Sequence, residues 1–137
     1  MKKIVLVAGL AICAGTSTAQ RFDATHYDGL SQLTGEQVYA HICQGCHMPN
    51  GQGATGAGRY PALAHNAKLA SAAYPAAMVI NGRNNMPAFG PLLTDAQVAG
   101  VVNYVRTHFD NAYTDPLKPD DVAVFRPPPP SNPPEKH

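Results

Sequence analysis

Cys43-Gln44-Gly45-Cys46-His47 is the stretch on which the reading of this chain turns. Two cysteines with two residues between them, followed at once by a histidine, form the C-x-x-C-H run by which haem c is attached. Each part has a physical task. Two thiols at this separation can form thioethers with the two vinyl groups on one edge of a porphyrin, which fixes the ring without tight non-covalent binding. The adjacent imidazole supplies a ligand to the iron. A bare C-x-x-C also serves thioredoxin-type dithiols and zinc half-sites. A dithiol of that kind belongs to a βαβ context, which a chain rich in helix and loop signals lacks, and tetrahedral zinc would need two more ligands at a workable spacing. The motif therefore predicts one covalent haem c on Cys43 and Cys46, with its iron bound by His47.

Upstream of the motif, Thr34 with Gln37 three residues on forms a capping box, and Val38, Tyr39, Ile42 and Cys43 fall on one helical stripe. A first helix is expected to deliver Cys43 at its C-terminal end. Downstream, Met48 to Gly58 reads MPNGQGATGAG, glycine-dense and without apolar period, and is expected to be loop whose backbone can lie close to a flat cofactor. A middle helix is expected from Pro75 to Asn81, or from as early as Ser71, since proline suits a first helical turn and Gly82 suits the residue after the last. Thr94 and Gln97 form a second capping box, after which Val98, Val101, Val102, Val105 and Phe109 repeat at helical spacing. The last helix is expected over Asp95 to His108.

The ends of the 137-residue chain differ from its middle. Lys2 and Lys3, an apolar run from Ile4 to Ala14 and small residues ending Ser17-Thr18-Ala19 have the order of an export signal over residues 1–19, which implies a periplasmic mature protein. The apolar run is too short to span a bilayer, and nothing later is continuously apolar. Removing that segment also removes Cys13, so Cys43 and Cys46 are left as the only pair. Residues 20–33 show no period and are expected to be an irregular lead-in. Residues 114–137, with Pro127 to Pro130 and Pro133-Pro134, are expected to be an extended or disordered proline-rich tail. Between them lies one domain, 34–113. Ten Lys and Arg stand against nine Asp and Glu, and without Lys2 and Lys3 the balance is eight to nine. A nucleic-acid surface is not indicated.

An electron carrier needs a second ligand on the far side of its iron. Met86, in Asn84-Asn85-Met86-Pro87-Ala88-Phe89, is the leading candidate, because Pro87 biases it towards extended backbone that can project a side chain from a loop. A thioether favours ferrous iron, so a His/Met pair raises the reduction potential. Met86 could instead simply fill core space. Met48 directly follows His47 and belongs to that ligand's side, and Met78 is expected to face the core. Of the histidines at 26, 41, 65, 108 and 137, His65 is the one serious rival, since a bis-His haem would keep the fold while lowering the potential. With both axial positions filled, such an iron exchanges electrons and has no place for a substrate. With Met86 unbound, an open iron could react with peroxide or hold a small gas.

Gly35-x3-Tyr39-x3-Cys43-x2-Cys46-His47, Pro61-x-Leu63 and Met86-Pro87-x-Phe89 together resemble the class I c-type cytochromes, over roughly Leu33 to Phe109. The resemblance implies an all-α cytochrome c fold, a small helical domain wrapped around one haem, with its first and last helices crossing near Gly35 and Tyr104. It implies that the Pro61 carbonyl accepts a hydrogen bond from His47, that Leu63 packs on the haem, and that Arg59 and Tyr60 carry donors suited to a propionate. Asn84 and Asn85 could orient the Met86 sulfur or serve as turn residues. The same likeness implies redox protein partners: a periplasmic dehydrogenase with a flavin, quinone or molybdenum cofactor as donor, and another cytochrome or a terminal oxidase as acceptor. The protein would act as a monomeric shuttle or as a subunit of a hetero-complex. Asp120 to Arg126 lies outside the usual fold, as a solvated tail or a docking tail.

Overall fold

The computed structural model describes residues 32–56 and 58–128. The expected export signal, nearly all of the lead-in, Cys13, His26, His137 and the prolines from Pro129 onward lie outside the described residues. The helical elements run α1 (Gly35–Val38), a π-helical turn (Tyr39–Cys43), α2 (Gln44–His47), a 3₁₀ turn (Ala67–Ala70), α3 (Ala73–Asn81), α4 (Asp95–Thr107), α5 (Pro119–Val122) and a second 3₁₀ turn (Ala123–Phe125). Two short antiparallel strands pair Ala54 with Tyr60: β1 (Ala54–Thr55) lies inside the glycine-rich segment expected to be loop, and β2 (Arg59–Tyr60) directly follows it.

Both capping boxes form. Thr34 Oγ1 accepts from the Gln37 amide and the Gln37 side chain accepts from the Thr34 amide, and Thr94 and Gln97 repeat the arrangement at the start of α4. Helical structure does not stop at Cys43 as expected but continues through the motif to His47. The intervening turn is wide, with the Gln44 amide reaching back to the Tyr39 carbonyl. π turns inside α-helices re-phase the residues that follow, and they recur at functional sites. Here the re-phased residues are those of the motif. The middle helix starts at Ala73, between the two expected starts, and ends at Asn81 with Gly82 as the residue after it. The last helix ends at Thr107 and not at His108.

Val98, Val101, Val102 and Val105 are buried on one face of α4, against Val38, Tyr39, Ala76, Ile80 and Leu93. Each large aliphatic side chain so buried contributes roughly 1.5–3 kcal/mol. Close approach of α1 and α4 depends on Gly35, where a Cβ would collide with the Gly100 carbonyl. The closest approach at the crossing is Gly35 against Gly100, one turn before Tyr104, near which the resemblance placed it. Tyr104 lies a turn further along, its ring 5.5 Å from that of Tyr39, and the Phe109 ring, just beyond the helix, lies tilted 4.8 Å from Tyr39.

Two polar side chains of the α4 region fix the loop between motif and α3. Asn111 donates to the carbonyls of Leu63 (2.9 Å) and Val105 (2.8 Å) and accepts from the Asn66 amide (3.0 Å). Arg106, fully buried, donates to the carbonyls of Leu69 (2.9 Å), Ala70 (3.0 Å) and Asp115, and to Asp115 Oδ1 (2.6 Å). A cation taken so far from water is tolerated only when its donors are satisfied, and among its acceptors are residues 69 and 70, far away in sequence.

The chain does not leave the domain at residue 113. Leu117 exchanges two hydrogen bonds with the Asn103 side chain, Val122 is fully buried, and α5 packs on α4. The expectation of a solvated or extended tail from residue 114 is corrected as far as Arg126. Leu117 and Val122 supply apolar anchors, and Pro119 opens a helical turn at the position where its missing N–H costs nothing. Leu33, at the end of the expected lead-in, likewise packs on the core.

Candidate haem-binding site

The helix carries the motif's three functional side chains into different surroundings. Cys43 is half-buried and packs on the core, Cys46 is exposed, and His47 is buried at 9% relative exposure. Both thiols are free. Burial pushes the Cys43 thiol up to about 11, with the neighbouring Cys46 adding to the effect. A dithiol oxidoreductase needs the reverse, a depressed thiol that is thiolate near neutral pH. Among the described residues no group of three or more His, Cys, Asp or Glu side chains converges as a metal site.

His47 Nδ1 lies 2.9 Å from the Pro61 carbonyl oxygen. A carbonyl can only accept, so the proton sits on Nδ1 and the Nε2 lone pair is left free to bind a metal. The backbone around His47 is held as well: its own carbonyl accepts from the Gly53 amide at 3.0 Å, and the next carbonyl, that of Met48, accepts from the Tyr39 hydroxyl at 2.6 Å. Met48 has φ 65°, an uncommon conformation for a side chain of that size. Burial raises the Tyr39 phenol to about 12, with Cys43 and Tyr104 contributing further, so the hydroxyl keeps its proton at ordinary pH and remains a donor.

Met86 closes a tight turn, exchanging two hydrogen bonds of 3.0 Å with Arg83. Asn84 sits at φ 53° in that turn, and Asn84 and Asn85 are exposed, the turn-residue role of the two weighed above. Gly82 precedes it at φ +66°, where a Cβ would stand 2.6 Å from the Met86 carbonyl oxygen. The Met86 side chain is half-buried, as are Leu33, Ile42, Leu63 and Phe89. These apolar groups are only partly covered by the polypeptide, which suits a large planar apolar ring as a further neighbour.

The remaining candidates fare differently. Leu63 is held by its amide to the Gly51 carbonyl at 2.7 Å. Arg59 and Tyr60 form the exposed strand β2, leading directly into Pro61. His65 is on the surface, 3.1 Å from Asp110, with 73% of its side chain exposed. Gly51, Gly53 and the Tyr39 hydroxyl support the His47 side without being marked by the motif. The glycine-dense run hinted at the first two, and nothing local in the sequence signals the third.

A helical domain in which a C-x-x-C-H run presents two free thiols and a carbonyl-oriented imidazole defines a c-type cytochrome, an electron-transfer domain that binds haem c. Comparison with known proteins agrees. The chain belongs to the family described as cytochrome c oxidase, cbb3-type, subunit III, whose profile matches residues 31–105. It is similar to cytochrome c6 of Gracilaria tenuistipitata var. liui, 37% identical over 82 residues that make up 58% of this chain and 74% of that one. It is also similar to the fructose dehydrogenase cytochrome subunit of Gluconobacter japonicus, 34% identical over 93 residues (57% of this chain), and to the gluconate 2-dehydrogenase cytochrome c subunit of Pantoea cypripedii, 32% identical over 112 residues (73% of this chain). The matched region spans only 19% and 25% of those two subunits. No described helix is long and apolar enough to cross a membrane.

Proposed function

We propose that this chain carries a single haem c through thioethers to Cys43 and Cys46, with His47 and Met86 as the two axial ligands, and moves one electron at a time between protein partners in the periplasm. The hydrogen bond from His47 Nδ1 to the Pro61 carbonyl carries the reading, because it leaves Nε2 free beside two unpaired thiols. Bound haem supplies the one-electron chemistry. The polypeptide holds the imidazole in one tautomer, excludes water from the His47 side and keeps the iron closed to substrates. Met86 is favoured over His65 by their surroundings: Met86 is half-buried among apolar side chains, whereas the His65 ring is exposed and paired with Asp110. Arg59 and Tyr60 would reach a propionate from β2, and Leu63 would pack on the ring.

The donor in this reading is a dehydrogenase, and the acceptor another cytochrome or a terminal oxidase. Two of the similar proteins are named as cytochrome subunits of dehydrogenases, which also favours a second reading: a dedicated haem subunit within a dehydrogenase complex. The two differ in one observable, since a shuttle purifies alone while a subunit co-purifies with its dehydrogenase. The test of the site is the mass of the denatured mature protein. One haem added to a polypeptide that begins near residue 20 is the expected result. Haem lost to acid-acetone, or retained in a Cys43→Ser, Cys46→Ser double variant, would overturn it.

A further inference from the structure

The loop that bears Met86 is fastened by a residue far outside the motif. After Met86 and Pro87 the chain returns to α3 through two backbone bonds, Phe89 N–H to the Val79 carbonyl (2.9 Å) and Gly90 N–H to the Ile80 carbonyl (3.1 Å). It then turns into α4 at Thr94. The carbonyls of Gly90 and Leu93 precede α4 and point to no helical partner. Both residues are buried, and a buried carbonyl without a donor is costly. Arg126 fills that gap. Its guanidinium donates to the Gly90 carbonyl at 2.6 Å, to the Leu93 carbonyl at 2.8 Å and to Asp95 Oδ1 at 2.7 Å.

The segment that brings Arg126 there is itself anchored. Val122 is fully buried, Leu117 is tied to Asn103, and the Asn81 side chain at the end of α3 donates to the Phe125 carbonyl at 3.2 Å. Residues 125 and 126 thus touch both ends of the 82–93 loop: Asn81 just before it and Gly90 and Leu93 just after Met86. A planar fork with several fixed donors can bridge two carbonyls and a carboxylate at once, which lysine's single ammonium group cannot do in the same geometry.

We propose that Arg126 is a positioning residue for Met86: by closing the end of the 82–93 loop it holds the thioether where it can stay on the iron. This rests on the reading that Met86 is the axial ligand. A thioether is a modest ligand for ferric iron, so the population of the Met86-bound state depends on how firmly its loop is held. A competing ligand reads that population directly, because its apparent affinity rises by the factor by which the closed loop is weakened.

The experiment is imidazole titration of the ferric holoprotein, followed by loss of the sulfur-to-iron charge-transfer band, for the wild type, Arg126→Ala and Arg126→Lys, with urea unfolding measured in parallel. Wild type is expected to show the band. Arg126→Ala should bind imidazole about tenfold more tightly, the order expected for losing charge-assisted hydrogen bonds, and Arg126→Lys should fall between the two. Should Arg126→Ala fail to fold, the lysine variant, which keeps the charge and the aliphatic stem, carries the test alone. If the band is present and imidazole affinity is the same in all folded variants while only the urea midpoint falls, Arg126 is a structural residue and the proposal is wrong, with Met86 ligation left standing. If the wild type lacks the band, Met86 is not a ligand and both readings fail together.

Discussion

The His47 side and the Met86 side of the site are built in opposite ways. His47 is buried, sits inside a helical segment between two cysteines and a loop that supplies it with a hydrogen-bond acceptor, and has its backbone pinned by Gly53 and, through Met48, by Tyr39. Met86 is half-exposed and sits at the end of a four-residue turn whose two central residues are exposed asparagines, in a loop that Arg126, 40 residues further along the chain, fastens at Gly90. The His47 side is fixed several times over by local structure. The loop that carries Met86 is tied instead to α3 and to Arg126.

That contrast is broken most directly by removing each ligand in turn. His47→Ala breaks the C-x-x-C-H run by which haem c is attached, and the yield of haem-stained holoprotein should fall sharply. Met86→Ala should instead accumulate as folded, haem-bearing protein with a lower reduction potential and a ferrous form that binds carbon monoxide. Equal yields for the two variants, or a Met86→Ala protein that ignores carbon monoxide, would erase the asymmetry.

A smaller effect sharpens the His47 side. Tyr39→Phe removes the hydroxyl that donates to the Met48 carbonyl while keeping the ring against Tyr104 and Phe109. Unfolding should become easier by about 1–2 kcal/mol, the cost of one part-buried acceptor left unpaired. The visible spectrum should not change, because the Pro61 and Gly53 contacts still fix the imidazole. A shift in the spectrum would show that the side is less redundant than its geometry indicates.

The two sides also differ in how far they can be read from the sequence. The motif, both capping boxes and the valine stripe of α4 are local patterns, so the cysteines, His47 and the limits of the helices on either side were legible to within a few residues. The π turn was not, because no residue type encodes it. Gly100 was missed at the helix crossing, since a lone glycine within a helical pattern gives no sign of which helix will approach it. Above all, residues 114–126 read as tail because they lead into Pro127 to Pro130 and Pro133-Pro134, which cannot join a helix. Their fold is tertiary: Leu117 and Val122 find apolar cover, and Arg106, Asn103 and Arg126 donate to carbonyls that only the folded chain brings near.

The smallest expected effect lies in that junction. Arg106 donates to the Asp115 carboxylate and holds its carboxyl below the usual carboxylate range. Because the folded group has the lower pKa, its contribution is present above the unfolded value near 4 and is lost as pH falls through the folded one. Asp115 is largely exposed, so the contribution is small. Asp115→Asn should flatten the acid end of the stability–pH curve slightly and leave its neutral plateau in place. Urea midpoints measured from neutral pH down through the carboxylate range would show this, and an unchanged acid limb would mean that the pair is spectator to the fold.

The most direct single measurement is the visible absorption spectrum of the mature protein, ferric and ferrous, with and without carbon monoxide. A low-spin spectrum with a sulfur-to-iron band and no response to carbon monoxide is the expected result for iron held between His47 and Met86. A high-spin spectrum, or a ferrous form that takes up carbon monoxide, would contradict it and make the protein an open-site haem protein.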